Sequence, residues 1–143
     1  MKVLAILGEG GHTQEMLGLL ELLGAGYTYS YLMPKHDQIS EGKIKIKGPV
    51  YRANIPRRKN PKLLTTVLLT LECSVQELVI LVQERPKAIL SVGAGIAVPI
   101  SIFGRLAGVK IIHVESATRV HALSLSGKIM YRVAHLFLYS GSL

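Results

Sequence analysis

The chain has 143 residues, enough for one domain with a real apolar core. With 49% apolar and 18% charged residues it is not a disordered chain, and lone Cys73 rules out an internal disulfide and a cysteine-held zinc cluster. A formal net charge of +8 favours anionic partners, but six Tyr, two Phe and no Trp make a poor stacking platform, so nucleic acid is not an expected partner.

Met1 and Lys2 lead directly into an apolar run, so no signal peptide is expected and residues 2–7 read as a short buried strand. The stretch "GEGGHTQEML", 8–17, then turns the chain into a helix. Thr13 suits a helix cap, and Met16, Leu17, Leu20 and Leu23 recur at helical spacing until Gly24 and Gly26. "YTYSYLM", 27–33, alternates with period two and reads as a second strand closed by Pro34.

Residues 35–62 form a different kind of segment. Its part from 43 to 62 carries eight Lys and Arg and no acid. Lys43, Lys45 and Lys47 alternate with Ile44 and Ile46, as in a short extended segment with its charges on one face. Arg57, Arg58 and Lys59 sit in a Pro-flanked loop. An anionic membrane surface is the partner this pattern suggests, with an ordinary solvated face as the plainer reading.

The very apolar stretch 63–85 follows, interrupted by Glu72, Gln76 and Glu77. A membrane span carries few or no charges over about 20 residues. The stretch therefore reads as a buried or membrane-facing helix, with Glu72 and Gln76 one turn apart as a polar strip. "AILSV", 88–92, is a strand, "GAGIAVP" its turn, 99–107 a helix, and "VKIIHV", 109–114, another strand. A loop from Glu115, a helix over 127–134 and a last strand over 135–140 complete the pattern. Strands alternating with helices imply a single α/β domain over 1–143 with a doubly wound, mostly parallel, Rossmann-like sheet.

In such a sheet the loops after strands gather along one rim, where ligands bind. The two glycine corners, with Gly10 and Gly11 and with Gly93 and Gly95, and the acid Glu115 all fall there. Glycine lets backbone amides approach a ligand, and a helix start favours an anion or a hydroxyl-rich group. The same glycines would also serve a plain tight turn. His12 can act as a general base or orient a hydroxyl, or simply cap and pack. Glu115 can do chemistry or pair with Arg119. The dinucleotide fingerprint fails, because Thr13 stands at its sixth position and no ribose-binding acid follows the second strand. A P-loop fails for want of GK[ST]. No paired acids of the DxD kind occur, so neither a metal nor another cofactor is expected.

Three stretches, "GEGGHTQEML", "SVGAGIAVPI" and "HVESATRVHALSLSGKIMYRVAHLFL", resemble the asparagine-linked glycosylation protein fourteen family, which includes capsule and exopolysaccharide subunits of bacteria and archaea. The resemblance spans nearly the whole chain in order. More distantly, the loops are similar to those of MurG-type glycosyltransferases. It implies the N-terminal, acceptor-side half of a split GT-B glycosyltransferase. A separate partner chain would bind the UDP-sugar. The acceptor would be polyprenyl-linked, and the site peripheral on the cytoplasmic membrane face. The family's motif residues fall on Gly10, Gly11, His12 and Thr13, on Gly93 and Gly95, and on Glu115, Ser116 and Arg119. His12 and Glu115 are the expected catalytic pair and the others substrate-binding. Eukaryotic members carry an N-terminal membrane anchor, which is not expected here. The expected reaction is an inverting transfer that needs both halves. A non-catalytic scaffold that recruits a catalytic partner to the membrane is the competing expectation.

Overall fold

Short apolar runs separated by glycine corners give six strands and four helices in the computed structural model, which describes residues 1–55, 63–116 and 122–139. In chain order these are β1 (Lys2–Ile6), α1 (Gly11–Leu23), β2 (Thr28–Pro34), β3 (Val50–Ala53), α2 (Leu63–Glu84), β4 (Ala88–Val92), α3 (Ala97–Leu106), β5 (Lys110–Val114), α4 (Leu125–Val133) and β6 (Leu136–Leu138). All strand pairs are parallel, in the order β3-β2-β1-β4-β5-β6. That order reverses between β1 and β4, which opens a crevice at their carboxyl ends. Both glycine corners sit at this point.

The central strands are buried on both faces, as parallel strands between helices must be. Residues of α2, α3 and α4 pack on one face, around Leu4, Ile6, Ile89 and Ile111. On the other face α1 packs through Met16 and Leu20 against Val3, Ala5, Tyr29, Tyr31 and Leu90. This second layer is short. Over β5 and β6 an apolar hollow of ≈ 240 Å³ lies open between Leu23, Tyr27, Ile112, Val114, Leu136 and Leu138. Leu136 and Leu138 are about half exposed on the edge strand β6, at 49% and 47%.

Three expectations change. Lys43, Lys45 and Lys47 do not lie on an extended strand: Ser40–Lys43 is a 3-10 turn followed by irregular chain. The local backbone groups are used within the loop and by its neighbours. Asp37 Oδ1 accepts from the N–H groups of Ile39 and Ser40, Ile44 N–H donates to Glu41 O, and Tyr31 OH donates to Ile46 O at 2.5 Å. The lysines still point outward and Ile44 inward, but into the α1-side core, and Lys45 pairs with Glu21 at 2.7 Å. Helix α3 begins two residues earlier than the pattern suggested, with Pro99 in its first turn, where a missing N–H costs least. Helix α4 begins at Leu125 because Ser124 is its cap, its hydroxyl accepting from Gly127 N–H at 2.9 Å.

Helix α2 turns Cys73, Glu77, Ile80, Leu81 and Glu84 inward. Its polar strip clamps the end of β3: Gln76 accepts from Asn54 N–H at 2.9 Å and Glu72 from Asn54 Nδ2 at 3.0 Å. The opposite side of the helix is an exposed apolar stripe through Leu64, Leu68, Leu71, Val75, Val79 and Val82. Among the described residues, no helix is long and apolar enough to cross a membrane.

Candidate functional site

The crevice is built by three loops that meet at His12. Gly10 caps α1 with φ +57 and ψ −118, a conformation that side chains resist. It bends the chain off β1 so that residue 12 faces the β4 corner. There Gly93, at φ +56, lies under the imidazole: a Cβ on it would fall 2.7 Å from His12 Cε1 and Nδ1 and 3.0 Å from Ser116 Cβ. Glycine is thus required twice at this position, by dihedral and by contact. Gly11 and Gly95 are different, since a Cβ on either meets nothing within 4 Å. Their place is at the open rim.

Thr13 does not cap α1. It is buried, and its hydroxyl donates back to Gly8 O at 2.9 Å, which closes the corner on itself. Glu9 finds a basic neighbour, His36, whose Nε2 lies 2.5 Å from Glu9 Oε1. The acid beside His12 is Glu15, one turn along α1, with Oε2 3.8 Å from His12 Nδ1 and Oε1 accepting from Ser116 Oγ at 3.1 Å. Helical i, i+3 spacing puts it beside His12.

Glu115 stands at the end of β5, buried, and does not hydrogen-bond His12. Its carboxylate accepts from Ser116 N–H and Ser124 N–H, each at 3.2 Å, and from the Ser124 hydroxyl at 3.1 Å. It lies against the bare Cα of Gly127, at the positive end of the α4 dipole. This geometry ties α4 to the crevice. Arg119, and the expected membrane-facing Arg57, Arg58 and Lys59, lie outside the described residues. Lys43, Lys45 and Lys47 are in the α1-side layer, away from the α2 stripe. Among the described residues no group of three or more His, Cys, Asp and Glu is arranged to hold a metal ion.

Beside His12 the crevice deepens into a cavity of ≈ 470 Å³. Gly8, Glu9 and His12 form its mouth, Ile96, Val98 and Pro99 of the β4–α3 segment one wall, and Leu125 and Ile129 of α4 another. Cys73 and Glu77 of α2 complete it, and among the described residues its lining includes no Lys or Arg. The lining is apolar apart from a few groups. Cys73 donates to Asn54 O, and burial pushes its thiol up to about 11. Glu77 is 1% exposed, and burial pushes its carboxyl up to about 8, against the backbone N–H of Ile100, which donates to it. Oε2 of Glu77 has no partner. Between β4 and β5, His113 Nδ1 lies 2.7 Å from Ser91 Oγ, its ring stacks on Phe137, and burial depresses its pKa to about 4. In the sequence Glu77 shows only as one of three polar residues that interrupt an apolar helix, and His113 lies in an apolar strand.

Residues 3–140 match the family described as "Oligosaccharide biosynthesis protein Alg14 like". The chain belongs to the Alg14 family. Among Alg14 relatives, it is 29% identical over 160 residues to a Homo sapiens protein named UDP-N-acetylglucosamine transferase subunit ALG14, covering 96% of this chain and 74% of that one. The protein of the same name from Schizosaccharomyces pombe is 31% identical over 154 residues, with 95% and 73% covered. Among solved structures, MurG of Acinetobacter baumannii superposes with a TM-score of 0.79 at 18% identity, over 99% of this chain and 42% of MurG. A UDP-N-acetylglucosamine 2-epimerase superposes at 0.70 and 16%, over 96% and 41%. The Alg14 chain thus has the fold of one Rossmann-like half of a GT-B molecule and spans about two fifths of each such structure.

Proposed function

We propose that this chain is the acceptor-side subunit of a two-chain UDP-sugar glycosyltransferase. The observation that carries the reading is the His12 imidazole, laid over Gly93 at the mouth of an apolar cavity. One rim of the crevice offers a base and the other an apolar hold, which suits a lipid-linked acceptor whose hydroxyl must be deprotonated. The donor-binding half is a separate chain, as the relatives' designation as subunits supports. The sugar transferred is N-acetylglucosamine, which those names carry.

In the reaction His12 takes the proton of the acceptor hydroxyl, whose oxygen attacks the anomeric carbon of the UDP-sugar from the face opposite UDP. The carbon–oxygen bond to the diphosphate breaks, UDP leaves with the electron pair, and the configuration inverts. Glu15, 3.8 Å away, stabilises the imidazolium that forms. Glu115 holds α4 and Ser116 in place. The polyprenyl chain lies along the apolar cavity and the adjoining face of α2, with the protein peripheral on the cytoplasmic side of the membrane.

In the complex reconstituted with its donor-binding partner, His12→Ala should lower kcat about 10²-fold or more while the two chains still associate. Turnover close to wild type with the variant folded would leave this histidine a structural role, and the scaffold reading, supported by the exposed α2 stripe, would take its place.

A further inference from the structure

For transfer, the donor's anomeric carbon must reach a hydroxyl held at His12, so the donor-binding chain has to settle on the rim around that residue. One flank of the rim is the segment 35–43. It leaves β2 at Pro34, beside the end of β1, and is pinned to its neighbours. Lys35 N–H donates to Ala53 O at 2.9 Å, Arg52 Nη1 donates to Asp37 O at 2.5 Å, and the buried Ser40 hydroxyl donates to Thr13 Oγ1 at 3.5 Å. His36 Nε2, 2.5 Å from Glu9 Oε1, ties the segment to the first glycine corner. Whatever grips this segment is therefore held in register with His12.

The segment uses its own acids internally. Asp37 Oδ1 accepts from the N–H groups of Ile39 and Ser40, and Glu41 Oε2 accepts from Arg52 Nη2 at 2.5 Å. Its lysines are left over: Lys35 and Lys43 are exposed, and among the described residues no acid pairs with either. Ile39 stands 71% exposed on the turn that Asp37 caps. A fixed apolar knob flanked by charge has the anatomy of a protein interface, an apolar centre with a polar rim. An anionic bilayer would attract the same lysines. Yet this segment runs on through Ile44 into the α1-side core, whereas the apolar stripe of α2 lies outside the opposite face of the sheet, and one flat bilayer cannot meet both. We infer that Lys35, Ile39 and Lys43 form a docking surface for the donor-binding chain, whose matching face carries Asp or Glu around an apolar socket. The inference rests on the two-chain reading given above and adds to it where the partner is gripped and by what chemistry.

The test is the association kinetics of the full chain with its donor-binding chain, followed as a function of salt. Lys35→Glu together with Lys43→Glu should slow association about tenfold at low salt, and the gap should close as salt screens the charges. Lys87→Glu together with Lys110→Glu changes the net charge equally at the amino ends of β4 and β5, the far end of the sheet, and should slow association far less. Ile39→Ser should speed dissociation about tenfold. All five positions are exposed, and circular dichroism and thermal melts establish that each variant folds. Equal slowing by the two double variants assigns the effect to overall charge and overturns the inference, as does association unchanged by Lys35→Glu, Lys43→Glu and Ile39→Ser. Loss of flotation on anionic vesicles by these variants, with partner association intact, gives the surface to a membrane and overturns it too. In each of these cases the two-chain reading stands. If the folded wild type does not associate with the donor-binding chain, that reading falls and the inference with it.

Discussion

At the scale of single residues, two buried titrating groups give the chain an unusual pH profile. Glu77 keeps its proton to about pH 8 when folded but only to about 4.5 when unfolded, so stability falls as pH rises through that window. His113 works in the other direction. It stays neutral to about pH 4 when folded and protonates near 6.5 when unfolded, so its contribution is lost as pH falls below 6.5. The two oppose each other between 4.5 and 6.5, and from 6.5 to 8 Glu77 acts without His113. Among the described residues that line the cavity with Glu77, the titratable groups are Cys73, Glu9 and His12, while those from α3 and α4 bring nothing that titrates. Glu115 and His12 are the groups near His113. Denaturant melts should therefore show stability declining by about 2 kcal/mol from pH 6.5 to 8, and Glu77→Gln should flatten that decline. A wild-type profile already flat over this range would mean that the carboxyl is ionised and hydrated in the folded chain.

At the scale of elements, much was legible. Strand β1, both glycine corners and β4 follow from apolar runs that end at Gly, and the chain order alone implied a parallel sheet. What escaped notice has physical reasons. Glu115 is followed by serines that claim its oxygens, and no local pattern shows where the hydroxyl of Ser124, nine residues on, will point. Glu77 and Gln76 are neighbours in sequence, yet one faces a cavity and the other the end of β3; only the rotation of a docked helix separates them. The Lys-Ile alternation over 43–47 gave the inward and outward directions correctly but not the backbone, because a loop anchored by Ile44 and Asp37 presents the same pattern as a strand. Helix α2 carries the clearest consequence at this scale. Its stripe exposes Leu64, Leu68 and Leu71 at 71%, 59% and 57%. Fully burying a leucine is worth roughly 1.5–3 kcal/mol, so these three in a bilayer would hold a peripheral protein better than scattered lysines do. Vesicle flotation should fall sharply for a Leu64, Leu68, Leu71 triple change to Gln. It should fall less for Lys43, Lys45 and Lys47 together changed to Gln, whose charges lie in the other layer. The reverse order would place the membrane on the α1 side.

At the scale of the whole molecule, the crevice floor and the apolar cavity come from this chain, and the MurG structure whose fold it shares is more than twice its length. Purified alone, the chain should release no UDP from UDP-N-acetylglucosamine in the presence of a polyprenyl-linked acceptor, and adding the donor-binding chain should restore turnover. Robust transfer by the single chain would end the two-subunit reading.

The open hollow over β5 and β6 bears on how a cell must make this protein. Among the described residues nothing covers Leu136 and Leu138 on the edge strand β6, and an exposed apolar edge recruits other edges. A surplus of this chain is then a hazard, and its supply has to be matched to whatever shields that face. Overproduced by itself it should sediment as aggregate, while a Leu136→Lys, Leu138→Lys double variant should stay in the supernatant. Synthesis rate, more than intrinsic stability, would then set how much usable protein a cell holds.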